Sequence, residues 1–234
     1  EQRKHDQKRE KREFIMKQEL HMQEQYKNEK VLLLPNLITE KESKELILYL
    51  KTHEHLKTVG DGSDYTAINI LHIHTQWVRD IFNRLSFDVI GEIYKNTGER
   101  VYPEMSALNE WDIGGVQEPH TDELSDVDIR NDNVKKDGLS REWTVILYIN
   151  GHESFQGGET YFPDEGPSGE IITPVLGTGV VFRGVDLKHG VYPVRRGARY
   201  TISQWFTADR DRIITDSRTR DLVLDHVTLR RSET

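Results

Sequence analysis

A histidine and an aspartate stand two residues apart at His120 and Asp122. Residues i and i+2 of an extended strand point to the same face of a sheet, so this imidazole and this carboxylate can enter one cavity. Two neutral imidazoles and one carboxylate suit a ferrous ion and leave coordination positions open for a cosubstrate and oxygen. The best second imidazole is that of His189, which precedes a turn at Arg196-Gly197 and a final strand. We therefore predict an iron site made of His120, Asp122 and His189.

A candidate carboxylate clamp follows the second histidine. Arg199 lies ten residues after His189, across one strand and a turn. Its planar guanidinium can bind a carboxylate through two parallel hydrogen bonds. A cosubstrate with two carboxylates and a keto group needs the metal at one end and such a cation at the other. A core carboxylate is the alternative partner for Arg199.

A neighbouring strand offers hydroxyl groups to the same carboxylate. Alternation along the segment 143–150 puts Thr144, Ile146 and Tyr148 on one face of a strand. We predict that Tyr148 and Thr144 contact the cosubstrate, although either side chain can instead serve only packing. Trp205 has two equal interpretations, as a core residue or as a wall of the cosubstrate pocket.

One other pair has the same spacing as His120 and Asp122. The segment His72-Ile73-His74 would suit a cupin-type metal site. It has no carboxylate and third histidine in a matching frame, and it precedes the strand-rich region. We therefore favour His120, Asp122 and His189.

Helices are predicted before the strand-rich part of the chain. The apolar run Val31–Leu34 indicates a strand that ends at Pro35. Thr39 followed by Glu42 is typical of a capping box that opens a helix extending toward Leu56. A second helix is predicted over 75–94, where apolar residues recur at steps of three and four.

From residue 104 to 207 the chain changes to short apolar or alternating segments separated by Gly, Pro, Asp and Asn. Such a series of strands is typical of a sandwich or barrel of the jelly-roll kind. The predicted fold is mainly β, with a double-stranded β-helix (jelly roll) core packed against N-terminal α-helices. We predict one domain over 31–234, preceded by a charged extension at 1–30. Within the domain, 31–103 is helical support, 104–207 is the jelly-roll core and 208–234 is a tail with one helix near 220–229.

Composition excludes several classes of protein. The chain of 234 residues contains no cysteine, which excludes a disulfide scaffold, thiolate metal sites and cysteine nucleophiles. The formal net charge of −8 argues against a nucleic-acid partner. No apolar run approaches the ~20 residues that a membrane-spanning helix needs. The absence of cysteine favours a cytoplasmic location, and the secretory pathway stays an alternative because the sequence begins at Glu1.

Four motifs together resemble a known family over the segment 108–206. They are Leu108…Trp111…Gly114…Glu118-Pro119-His120-Thr121-Asp122, then Arg141…Thr144-Val145-Ile146-Leu147-Tyr148-Ile149-Asn150, then Gly157-Gly158-Glu159-Thr160-Tyr161-Phe162-Pro163, and His189-Gly190-Val191…Pro193-Val194…Gly197…Arg199-Tyr200…Trp205-Phe206-Thr207. This series resembles the catalytic domain of Fe(II)- and 2-oxoglutarate-dependent dioxygenases, in the branch of the prolyl hydroxylase superfamily that holds procollagen prolyl 4-, prolyl 3- and lysyl hydroxylases. The last motif is especially similar to the prolyl 3-hydroxylase group.

The resemblance implies an oxidoreductase with a defined set of cofactors. His120, Asp122 and His189 would hold Fe(II), while Arg199 and Tyr148 would grip the distal carboxylate of 2-oxoglutarate, with Thr144 and Trp205 beside it. Oxygen would be the second cosubstrate, and ascorbate a reductant that keeps the iron reduced. Imidazole must be neutral to bind a metal, so activity should fall in acid.

Two positions depart from the family pattern and one argues for the reaction type. Collagen prolyl 4-hydroxylases usually have Lys where this chain has Arg199. Many relatives have Tyr where this chain has Trp111, so one hydroxyl near the cosubstrate is lacking or replaced. Related halogenases lack the carboxylate that Asp122 supplies, so hydroxylation is favoured.

We predict a monomeric or weakly associating hydroxylase of a prolyl residue in a peptide or protein, with release of succinate and CO2. The alternative is a hydroxylase of a free amino acid or other small metabolite, because fold and cofactor do not determine the substrate. A third reading is a jelly-roll binding module without metal.

The acidic segment 123–142 is predicted to be a surface loop or, beside the metal, a lid that favours substrates with basic flanking residues.

Overall fold

A computed structural model describes residues 30–59, 64–122, 141–165 and 169–208 of the chain. These residues form thirteen strands and two α-helices. The predicted extension at 1–30 except Lys30, most of the acidic segment 123–142 and nearly all of the predicted tail lie outside the described residues. Those assignments therefore stay predictions.

Two helices support the strands. Helix α1 (Glu40–Thr52) begins at the predicted capping box, in which Thr39 Oγ1 accepts from the Glu42 amide and the Glu42 carboxylate accepts from the Thr39 amide. Helix α2 (Gln76–Thr97) ends at Gly98, whose φ of 74° gives the left-handed conformation that glycine adopts at helix ends. No helix among the described residues is long and apolar enough to cross a membrane.

The strands run in chain order through three antiparallel sheets. They are β1 (Val31–Leu34), β2 (Thr58–Val59), β3 (Thr66–Asn69), β4 (Tyr102–Trp111), β5 (Gln117–His120), β6 (Trp143–Tyr148), β7 (Gln156–Gly157), β8 (Thr160–Phe162), β9 (Glu170–Ile172), β10 (Gly179–Phe182), β11 (His189–Val191), β12 (Val194–Arg196) and β13 (Arg199–Thr207). The major sheet has the order β1-β10-β6-β13-β4-β3-β2, the minor sheet has the order β5-β11-β8-β9, and β12 pairs with β7. This architecture, mainly β with two supporting helices, confirms the predicted jelly roll.

Alternation along β6 and β13 separates the helix side of the major sheet from its inner side. On the helix side, Ile202 of β13 and Leu147 of β6 pack in one cluster with Leu46 of α1 and Phe82 of α2. On the inner side, Tyr148 packs in a second cluster with residues of the minor sheet and of β10. Residues with the parity of Arg199 on β13 therefore point toward the minor sheet, into the interior of the jelly roll.

One predicted strand is interrupted. The segment 190–194 reads as a single strand, but the structure divides it into β11, ending at Val191, and β12, beginning at Val194. Pro193 lies in the gap and has no N–H to donate to a ladder. The break lets β11 pair with the minor sheet while β12 pairs with β7.

Candidate active site

The two histidines meet because β5 and β11 are antiparallel neighbours. His120 stands directly opposite His189 in their register, and the two ring centroids lie 4.4 Å apart. Asp122 follows His120 by two residues, just past the end of β5. The His-x-Asp spacing and the later histidine thus reach one place, as the sequence predicts.

Three ligand atoms face one another at this place. Asp122 Oδ1 lies 3.7 Å from His120 Nε2, and Asp122 Oδ2 lies 3.6 Å from His189 Nε2. One ligand atom from each of the three residues lies within 4.8 Å of the others. Among the described residues, these three form the one group of histidines and carboxylates that could hold a metal ion. His72 and His74 are exposed and belong to no such cluster.

Backbone carbonyls orient both imidazoles. Nδ1 of His120 lies 3.0 Å from the Glu118 carbonyl oxygen, and Nδ1 of His189 lies 3.1 Å from that of Leu187. A carbonyl oxygen only accepts hydrogen bonds, so each Nδ1 carries the proton and each Nε2 presents a lone pair to the centre. The residues present therefore fit a divalent metal ion.

Burial differs among the three residues, and that of His189 affects its pKa. His189 and Asp122 are buried, whereas the side chain of His120 is 33% exposed. Burial lowers the pKa of His189; the negative charge of Asp122 opposes this shift, and His120 adds to it. The neutral form of His189, which is the form that ligates metals, is therefore favoured.

Thr144 contacts the carboxylate of Asp122. Its Oγ1 donates a hydrogen bond of 2.5 Å to Asp122 Oδ2, and the Asp122 amide donates to the Gly184 carbonyl at 2.8 Å. The structure thus places the Thr144 hydroxyl at the metal cluster, whereas Tyr148, four residues further along β6, lies beside Arg199.

Arg199 of the major sheet is buried against Thr160 of the minor sheet. Its side chain is buried, and its guanidinium lies over the rings of Trp111 and Tyr148, 5.0 Å and 5.5 Å from their centroids. No carboxylate of the described residues forms an ion pair with it, and its Nε has no hydrogen-bond partner among them. Burial lowers the pKa of Arg199, an effect that Tyr148 and Glu159 oppose. Arginine does not deprotonate in proteins, so this cation is suited to an anionic guest.

Sequence reasoning missed the residue that joins Arg199 to Tyr148. Thr160 Oγ1 accepts from Tyr148 Oη at 2.7 Å and from Arg199 Nη2 at 3.2 Å. Burial raises the pKa of Tyr148, which keeps its hydroxyl protonated as a donor. Thr160 still has its own hydroxyl hydrogen to donate. The signal for it was the glycine hairpin before β8, where the threonine shares a face with buried Phe162.

A glycine lets the Arg199 side chain pack closely against the hairpin that precedes β8. Gly158 has φ +66°, and a Cβ there would lie 2.9 Å from Arg199 Cδ. The second glycine of the hairpin is therefore needed for both its backbone conformation and the approach of the arginine stem.

Two tryptophans complete the interior face. Trp111 stacks on Tyr65 with centroids 4.3 Å apart, and its buried Nε1 has no hydrogen-bond partner among the described residues. The Nε1 of Trp205 is also buried and has none, and the ring of Trp205 lies under Arg141, 4.9 Å away. The indole N–H groups of both tryptophans are thus buried donors without a partner among the described residues.

The iron-and-cosubstrate architecture agrees with comparisons to known proteins. Residues 106–207 match the family model of the 2OG-Fe(II) oxygenase superfamily. Residues 106–207 are thus similar to that superfamily, and the chain is similar in fold to prolyl hydroxylases. No curated protein sequence is significantly similar to the chain.

Solved structures share the fold at low sequence identity. A prolyl-4-hydroxylase from Pseudomonas putida is 16% identical with a TM-score of 0.60, over 76% of this chain and 91% of that one. A prolyl hydroxylase from Trichoplax adhaerens, in complex with a hypoxia inducible factor peptide fragment, is 15% identical with a TM-score of 0.58, over 83% and 90%. HygX from Streptomyces hygroscopicus, with nickel, 2-oxoglutarate and hygromycin B bound, is 14% identical with a TM-score of 0.52, over 76% and 82%.

Proposed function

We propose that this 2OG-Fe(II) oxygenase hydroxylates a prolyl residue in a peptide or protein, converting 2-oxoglutarate and oxygen to succinate and CO2. The observation that supports it most is a His-Asp-His cluster in the same jelly roll as a buried arginine, Arg199, that forms no ion pair with a carboxylate among the described residues. The similarity to the superfamily supports the cofactor chemistry, and the fold of the Pseudomonas and Trichoplax enzymes supports the prolyl substrate.

Under this proposal, residues of this chain bind the metal and the 2-oxoglutarate. His120, Asp122 and His189 would hold Fe(II) through their imidazoles and carboxylate. Arg199 binds the distal carboxylate of 2-oxoglutarate, and Tyr148 and Thr160 fix the guanidinium and the guest in one hydrogen-bonded group. The bound iron supplies the oxidation of an unactivated C–H bond.

The remaining residues shape the pocket. The aromatic rings of Trp111 and Tyr148 lie against the guanidinium of Arg199. They exclude water that would compete with the 2-oxoglutarate carboxylate for this cation. Trp205 forms a wall with the parity of Arg199 on β13. Ascorbate is proposed as the reductant that keeps the iron in its ferrous state between turnovers.

A small-molecule substrate is the second candidate. HygX, which shares the fold, has hygromycin B bound in its structure. The same fold therefore also binds small molecules that are not peptides. The seven-stranded sheet and the carboxylate-binding group of Arg199, Tyr148 and Thr160 are compatible with either substrate.

Succinate release from the purified, Fe(II)-loaded protein separates these candidates. We expect proline-containing peptides to stimulate succinate formation and to gain one oxygen atom by mass spectrometry. His189→Ala is the inactive control. Turnover with a free amino acid but with no peptide would select the second candidate. Failure of the protein to bind iron, with no rise of its melting temperature on addition of 2-oxoglutarate, would select a binding module without catalysis.

A further inference from the structure

Thr144 lies where parity along β6 predicted a contact to the cosubstrate, yet its hydroxyl is committed elsewhere. It is fully buried, and its Oγ1 donates to Asp122 Oδ2 at 2.5 Å, a short hydrogen bond of the kind that a hydroxyl makes to a charged carboxylate. The group that joins Arg199 and Tyr148 is the hydroxyl of Thr160. The two buried threonines thus serve different ends of the cavity.

A second contact fixes the aspartate from its backbone. The Asp122 amide donates to the Gly184 carbonyl at 2.8 Å. The loop that carries Gly184 is itself held, because the Arg183 side chain donates to Glu99 and to Asp186 at 2.9 Å each. Asp122 follows the short edge strand β5, so these contacts supply rigidity that its own strand does not.

Gly184 also makes room for the hydroxyl contact. A Cβ at this position would lie 2.3 Å from Thr144 Oγ1 and 2.7 Å from Asp122 Oδ2. Gly184 is not among the glycines with positive φ, so the requirement is for space and not for backbone freedom. A glycine without a conformational reason, placed against this hydrogen bond, is a second and independent sign that the contact is built.

We propose that Thr144 is a positioning residue for the metal ligand Asp122, with Gly184 as its steric partner, and that it does not bind 2-oxoglutarate. The hydrogen bond occupies Oδ2 and turns the carboxylate so that Oδ1, 3.7 Å from His120 Nε2, is the oxygen free of it. Partners that orient ligating carboxylates contribute to metal affinity. This inference rests on the metal centre of the proposed function.

Thr144→Val and Thr160→Val form a matched pair that tests it. Both remove one buried hydroxyl and keep nearly the same shape. The first measurement is the Kd for Mn(II) in the absence of cosubstrate, from the electron paramagnetic resonance signal of free Mn(II). The second is the Kd for 2-oxoglutarate on Mn(II)-saturated protein. We expect Thr144→Val to weaken Mn(II) binding about 10- to 100-fold and to change the 2-oxoglutarate Kd by less than about threefold. Thr160→Val should show the opposite pattern, and Thr144→Ser should restore Mn(II) binding.

Unchanged Mn(II) affinity in Thr144→Val, with weakened 2-oxoglutarate binding, overturns the proposal. The melting temperature of the metal-free variants reports whether they fold. Gly184→Ala is the second route, because it retains the hydroxyl but crowds it, and we expect it also to weaken Mn(II) binding. Wild-type affinity in Gly184→Ala counts against the proposal. If the wild-type protein itself does not bind Mn(II), the proposed function fails as well, so the two failures are distinguishable.

Discussion

The two ends of the candidate site are built on different kinds of strand. The metal end depends on β5 and β11, strands of four and three residues in the minor sheet, and the side chain of His120 is 33% exposed there. The anion end depends on β13, a strand of nine residues paired along both edges within the seven-stranded sheet. Arg199 and Tyr148 are 1% and 0% exposed.

This difference matches what each end has to exchange. A metal that meets oxygen and a substrate needs an open side, and a part-exposed ligand on a short strand leaves one. A cation that grips one small carboxylate benefits from dryness, because charge interactions strengthen as the surrounding dielectric falls. The residues of the metal end accordingly need extra contacts to hold them in position, while those of the anion end are held by the sheet itself.

The largest expected effect is at the metal end. His189→Ala removes a ligand, so Mn(II) affinity should fall by more than the 10- to 100-fold typical of losing an outer partner of a ligand. The rise of the melting temperature on adding Mn(II) should disappear with it. His74→Ala, which alters an exposed histidine outside the cluster, is the control and should behave as wild type. Retained Mn(II) binding in His189→Ala would remove the metal centre from this place.

At the anion end, Arg199→Met should weaken 2-oxoglutarate binding about 100-fold or more, because it removes the buried cation that pairs with the distal carboxylate. Mn(II) affinity should stay within about threefold of wild type. Arg195→Met is matched to it, because that arginine lies nearby on β12 with a side chain 72% exposed. Equal loss of both affinities in Arg199→Met would show that the two ends do not act separately.

Tyr148→Phe should have a smaller effect at the same end. It removes one hydroxyl that donates to Thr160, worth about 1 kcal/mol, and 2-oxoglutarate affinity should fall roughly five- to tenfold. Calorimetric titration of Mn(II)-saturated protein measures it. Tyr161→Phe, on a tyrosine stacked against Tyr192 and not against Arg199, should leave the affinity unchanged. A Tyr148→Phe loss as large as that of Arg199→Met would contradict the division of roles.

The smallest effect is expected behind the sheet, where neither end is touched. Thr39→Ala breaks the capping box of α1 and should cost about 1 kcal/mol of stability, a melting temperature lower by about 2–4 °C. Both affinities should be those of wild type.

The same cap should be sensitive to pH. Burial raises the pKa of Glu42, but hydrogen bonds from Thr39 and the charge of Arg84 outweigh it and hold the pKa below its ordinary value. The folded state therefore favours the ionised carboxyl, and the stability it contributes is present above the pKa of the unfolded chain, about 4.3, and lost as the pH falls below it. The difference in melting temperature between wild type and Thr39→Ala should shrink in that range. A constant difference down to pH 3 would contradict this account.

Local chemistry made much of the fold predictable. The capping box at Thr39, the alternation along β6 and the pairing of His120 with Asp122 each depend on residues a few positions apart, and each is present in the structure. The interruption of the strand at Pro193 was also a local signal, because proline has no N–H to donate to a ladder.

Contacts between distant strands were not predictable in the same way. Alternation placed Thr144 and Tyr148 on one face, but only the packing of the sheets gave the first to Asp122 and the second to Thr160. The role of Gly184 likewise depends on two side chains from other segments.

The sequence by itself determined the residue types of the site, the faces on which they lie and the family that their motifs resemble, because periodicity and motif spacing are local properties of the chain. Only the tertiary structure decided which hydroxyl meets which charge, because hydrogen bonds require a fit of about 3 Å that strand register and sheet packing set together. For this protein the division falls between two threonines of the same chemistry, one beside the carboxylate of the metal end and one beside the guanidinium of the anion end.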